Sequence, residues 1–92
     1  MRKKLPNRRP CVTQSTGFNG DTLHITTGYY PEDGSLGEVF VSGPLVGSEM
    51  QTVLSDAAII VSLAIQNGIN PKEMAKSTAT GSPVGRILEY LR

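Results

Sequence analysis

The spacing of hydrophobic and polar residues changes once along this chain, from a period of two to a period near 3.6. The stretch "CVTQSTGFNGDTLHITTGYY" has Thr- and aromatic-rich runs on either side of Asn19-Gly20, a strong short-range hairpin signal. In its second arm Leu23, Ile25 and Thr27 alternate with Thr22, His24 and Thr26, so one face of that strand is expected to be buried. Pro31, Asp33 and Gly34 in "PEDGS" supply the next reversal. "LGEVFVS" then reads as a third strand, with Val39 and Val41 on one side and Glu38 and Phe40 on the other. Three strands joined by short turns predict an antiparallel meander.

"GPLVG" ends the strands. Met50, Val53, Leu54, Ala57, Ala58, Val61, Ala64 and Ile65 recur at helical spacing and predict an amphipathic helix over about 49–67. Ser48 and Gln51 form a capping-box pattern at its start, and Gly68 supplies the stop. Ile59, Ile60 and Leu63 widen the apolar surface past one stripe, so cover is expected from the sheet and from another helix or subunit. "NPKE" opens a short helix over 71–77, with Asn70 as N-cap, Pro71 at the first position and Glu73 closing a second box. "TATGSP" is a loop, and Ser82-Pro83 starts a last short helix through "VGRILEYLR". The fold class expected is α+β: a small antiparallel meander against one long and two short helices.

Composition adds limits. A chain of 92 residues forms one domain with a modest core, divided here into a basic lead-in at 1–10 and a single domain at 11–92. Five aromatic residues and no Trp leave that core to aliphatic side chains, so oligomerisation is a natural source of extra stability. Cys11 is the single cysteine, which excludes an internal disulfide and a Cys-based zinc cage; it is expected to be a small buried hydrophobe. No signal peptide or membrane-spanning run is visible, and the cytoplasm is the expected compartment. No cofactor or metal is expected.

Charge is unevenly spread. Five of the nine basic side chains (Arg2, Lys3, Lys4, Arg8, Arg9) precede residue 11, whereas residues 11–70 hold six acids and no Lys or Arg. A nucleic-acid binder should carry a basic face on its folded body, and the middle of this chain has none, so nucleic acid is not an expected partner. The lead-in is expected to fold back on the acidic body through Arg8 or Arg9, with Asp56 or Glu38 as partner, while residues 1–4 stay mobile. His24 reads as a strand residue without an orienting partner, and no catalytic constellation is visible. "VGSE" and "TGSP" each place a Ser hydroxyl and backbone N–H groups at a helix start, where an anion can bind or where simple N-capping suffices. Gly47, Ser48, Gly81, Ser82 and Arg86, together with Arg8 and Arg9, are the candidate residues for a nucleotide-phosphate pocket.

Five pieces in order, "LPNRRP", "LGEVFV", "VGS", "DAAIIVSLAIQNGINPKE" and "GSPVGRIL", resemble the TSCPD domain, the small C-terminal domain of cobalamin-dependent ribonucleotide reductases, which also occurs free-standing. The resemblance implies that the basic lead-in is an inherited strap. It implies no catalytic residue, because the barrel, the cobalamin and the radical cysteine of the full enzymes have no counterpart here. With Cys11 alone, dithiol exchange within one chain is impossible. The expected role is a non-catalytic, homo-oligomeric binding module for a nucleotide or cyclic-nucleotide-like molecule, as in viral proteins that sequester signalling nucleotides. The alternative is an accessory or split subunit that docks on a reductase catalytic chain.

Overall fold

A computed structural model describes residues 2–18, 20–43, 49–79 and 81–91. Strands β1 (Cys11–Phe18), β2 (Asp21–Tyr29) and β3 (Leu36–Ser42) form one antiparallel sheet in the order β1-β2-β3. Helices α1 (Glu49–Gln66), α2 (Pro71–Ser77) and α3 (Pro83–Leu91) follow. The α+β meander with one long and two short helices is therefore the observed architecture.

Phe18 pairs directly with Asp21, leaving a two-residue hairpin loop in which Gly20 takes a φ of 83°, as a primed turn requires. Between β2 and β3 the chain reverses at residues 31–35. There the Asp33 carboxylate accepts from the Ser35 hydroxyl at 2.6 Å and its amide at 2.9 Å. Those two bonds, the hydroxyl's first, hold the Asp33 carboxyl below its ordinary value.

Alternation sorts the sheet into two faces as the sequence predicts. Leu23, Ile25, Val39 and Val41 meet Leu54, Ala58 and Val61 of α1 and Ile87 and Leu88 of α3 in one aliphatic core. On the other face Thr13 and Thr26 share a hydrogen bond of 2.8 Å, Ser15 Oγ lies 3.0 Å from His24 Nδ1, and Phe40 is exposed. Cys11, expected to be buried, is exposed. It begins the edge strand, where the sheet has no neighbour to cover it.

The placement of α1 rests on polar residues inside its apolar stripe. The ladder with β2 leaves alternate backbone groups of β3 pointing away from the sheet. Side chains of α1 satisfy them. Gln51 Nε2 donates to the Val41 carbonyl (3.2 Å), Ser62 Oγ accepts from Val39 N–H (2.9 Å), and Gln66 Nε2 donates to the Gly37 carbonyl (3.0 Å). The helix thereby closes an edge that would otherwise be open for pairing. The expected start box of α1 includes Ser48, which lies outside the described residues; Gln51 serves the sheet edge.

α1 ends at Gln66, where Gly68 (φ 92°) and the bond from Ile69 N–H to the Ala64 carbonyl, 3.0 Å, turn the chain. Asn70 Oδ1 caps α2 by accepting from Lys72 N–H at 2.9 Å. Glu73, expected to close that box, has its carboxylate 3.6 Å from Lys76. Among the described residues no helix is long and apolar enough to cross a membrane.

Candidate functional site

Two surfaces stand out, and the first is the strap at residues 2–10. Prolines at 6 and 10 stiffen it, which lowers the entropy lost on docking. Its backbone joins the body where Lys3 N–H donates to the Gln66 carbonyl at 2.9 Å. Arg2 Nε donates to Gln66 Oε1 at 2.6 Å, and the Tyr30 hydroxyl donates to the Lys3 carbonyl. Lys3 Nζ lies 4.5 Å from the Tyr30 ring centroid and 3.4 Å from Glu32. Leu5 sits over Gly37, where a Cβ would come within 2.7 Å of its side chain.

Arg9 is the strap's main electrostatic anchor. Its Nε donates to Glu38 Oε2, its Nη2 to Glu38 Oε1 at 3.0 Å, and its Nη1 to the Pro6 carbonyl at 2.7 Å. This bidentate fork is the geometry in which guanidinium and carboxylate match best. The hydrogen bond to Glu38 holds the Arg9 guanidinium above its ordinary value. The Glu38 side chain keeps only 7% of its exposure, because Arg9 covers it from outside and the bare backbone of Gly28 lies across from it in the sheet.

The expected fold-back of the strap is thus observed, with corrections. Glu38 is the partner of Arg9; Asp56 is exposed on α1. Residues 1–4 were expected to be mobile, yet Arg2 and Lys3 are docked because α1 ends in a glutamine with free amide capacity on that side. Arg8 is exposed. A cleft of roughly 290 Å³ at the strap is lined by Arg2, Lys4, Leu5, Asn7, Arg9, Glu38 and Gln66.

The remaining predicted residues do not join this cleft. Gly47 and Ser48 lie outside the described residues. Gly81 (φ 80°) is exposed, and Ser82 Oγ accepts from Gly85 N–H at 2.9 Å, so its hydroxyl is occupied as the cap of α3. Arg86 is exposed one turn further on. The Ser15–His24 contact lies on the exposed sheet face, where nothing among the described residues encloses a substrate. Among the described residues no three His, Cys, Asp or Glu side chains converge as a metal site.

The second surface is the outer side of α1. Met50, Val53 and Ile60 are exposed, Ile60 by 66%, and with Ala57 and Ala64 they repeat at alternating intervals of three and four, the seam spacing of a paired helix. Ile59 and Leu63 extend the exposed apolar area. Glu49 and Asp56 flank it, and α1 carries no basic residue. α3 supplies a second cover near Val61, and the outer side that carries Ile59, Ile60 and Leu63 stays uncovered among the described residues.

Comparison with known proteins gives one family. The family model described as "TSCPD domain" matches residues 2–86. The vitamin B12-dependent ribonucleotide reductase of Bradyrhizobium diazoefficiens is 37% identical over 68 residues, covering 74% of this chain and 5% of the enzyme. That of Agrobacterium fabrum is 33% identical over 76 residues, 83% of this chain and 6% of the enzyme. That of Streptantibioticus cattleyicolor is 38% identical over 69 residues, 75% and 11% respectively. The chain therefore matches only a small part of the length of these relatives. No solved structure matches it significantly.

Proposed function

Since this chain belongs to the TSCPD domain family, we propose that it is a non-catalytic docking module that binds a cobalamin-dependent ribonucleotide reductase chain through the outer face of α1. The observation carrying this reading is the uncovered seam of Met50, Val53 and Ile60 on a helix whose opposite side is fully used by the core. An exposed apolar patch of this kind marks an interaction site. The flanking acids Glu49 and Asp56 favour a partner with basic residues beside its apolar face, and they disfavour a second α1, which would bring like charges together.

Two predictions test this. Purified protein should co-elute in size-exclusion chromatography with a reductase catalytic chain trimmed of its own TSCPD segment, and Ile60→Glu should abolish co-elution without changing the melt. Co-elution that survives Ile60→Glu would exclude the α1 face. The protein alone should form no deoxynucleotide, because its single cysteine, Cys11, lies exposed on the edge strand and does not line the cleft at the strap.

A second reading is favoured by the strap. Arg2, Lys4 and Arg9 around one cleft suit a phosphate-bearing ligand such as a nucleotide or a cyclic dinucleotide. Arg9 is already neutralised by Glu38, so Arg2 and Lys4 would carry most of the binding. Thermal melts with added nucleotides should show an upward shift that Lys4→Ala diminishes. No shift with any nucleotide would rule this reading out.

A further inference from the structure

The two edges of the sheet are treated differently. β3 is closed by Gln51, Ser62 and Gln66 of α1, whereas β1 ends the sheet with Cys11 to Ser15 all exposed. Tyr29 N–H donates to the Pro10 carbonyl at 3.0 Å, and Val12 stands opposite Thr27. By the alternation of an antiparallel ladder, the even-numbered residues of β1 bond β2, and Cys11, Thr13, Ser15 and Gly17 turn their N–H and C=O groups outward.

Among the described residues none of the usual devices protects this edge. "CVTQSTGF" contains no charge and no proline, and its register with β2 runs unbroken from Cys11 to Phe18. A long, regular, uncharged edge invites another strand. The geometry points to β1 of a second copy as that strand, added antiparallel about a twofold axis through Gln14 to make a continuous six-stranded sheet.

Three features select a second copy over another partner. Centring on Gln14 sets Cys11 opposite Gly17 and Thr13 opposite Ser15, so every outward-facing residue of β1 finds a partner. Two uncharged strands meet without repulsion. The pair is also self-limiting, because its two remaining edges are both β3, each already closed by its own α1. On the helix side a hollow of about 300 Å³, lined by Val12, Gln14, Tyr29, Tyr90 and Leu91 among others, opens beside the edge. Val12 is 46% exposed there, and pairing would bring the second copy's Gln14 and Thr16 to its rim.

Light scattering at micromolar concentration should give twice the chain mass. Thr13→Pro removes an outward N–H while leaving the ladder to β2 intact. It should weaken association about tenfold or more with an unchanged circular-dichroism spectrum. A crosslink serves if that variant fails to fold. In a Cys11→Ser background, Gln14→Cys places two thiols across the axis in a non-hydrogen-bonded pair with Cα atoms about 4.5 Å apart, within disulfide reach. Mild oxidation should yield a linked dimer, while Ser42→Cys in the same background should not. A single-chain mass together with no Gln14→Cys crosslink overturns the proposal. So does a dimer that Thr13→Pro leaves intact and Ile60→Glu dissociates, since that contact would be on α1.

Discussion

Ser62→Ala is expected to lower the melting temperature by on the order of 10 °C, from a loss of about 1–3 kcal/mol. Ser62 is buried in α1, and its Oγ accepts from Val39 N–H at 2.9 Å and lies 2.8 Å from the Ala58 carbonyl and 3.1 Å from the Val39 carbonyl. Alanine removes the only acceptor placed for that N–H among the described residues. Val39 is fully buried, so water cannot replace the lost partner. Two opposing effects have to be weighed. Alanine is the better helix former, by a few tenths of a kcal/mol, but a stranded buried N–H costs several times more. The loss wins. Ser77→Ala, on an exposed position of α2, is the control and should not move the melt. A Ser62→Ala protein that melts at or above the native temperature would mean that α1 does not close the edge of β3.

Arg9→Ala is expected to destabilise the fold strongly, and Arg8→Ala hardly at all, although the two are neighbours with the same charge. The difference lies in what each leaves behind. Arg8 is exposed and its removal strands nothing. Removing Arg9 leaves a carboxylate whose side chain is 7% exposed facing a sheet, without its bidentate partner. Breaking one half of a covered ion pair is far more damaging than omitting both. The double variant Arg9→Ala/Glu38→Gln should therefore recover part of the loss, and a double-mutant cycle on thermal melts measures the coupling. Equal melts for Arg8→Ala and Arg9→Ala would disprove the assignment.

The elements and their order were legible because each carries a local signal: Asn19-Gly20 for the hairpin, two-residue alternation at Leu23 and Ile25, the period of Leu54, Ala58 and Val61, and Asn70-Pro71 for α2. The pairing of the strap was legible only in kind. Five cations before a stretch with acids and no bases predict attraction, but Glu38 is chosen over Asp56 by tertiary position. Both are acids among apolar neighbours in sequence. Only Glu38 lies where Gly28 leaves room and Arg9 can reach. Cys11 departs from its expected burial because composition favours burying cysteine, whereas an edge position overrules that preference. The role of Gln51, Ser62 and Gln66 had a faint signal, three polar residues on the core side of an otherwise apolar helix, which the apolar spacing alone does not interpret. The candidate phosphate site fared differently: helix-start patterns identify N–H groups able to meet an anion, and at Ser82 the chain's own Gly85 already uses the hydroxyl.

Gln66 has consequences for the order in which the chain assembles. Its amide nitrogen holds the Gly37 carbonyl, its amide oxygen receives Arg2, and its backbone carbonyl receives Lys3. The anchor for the strap thus exists only once the end of α1 has reached β3, with more than sixty residues of intervening chain already arranged. The strap is in this sense the last part of the fold to find its place. On the way back, the same few bonds are the outermost to release, so the amide of Lys3 should exchange its hydrogen by local opening. The amide of Val39 should wait for the whole fold to come apart.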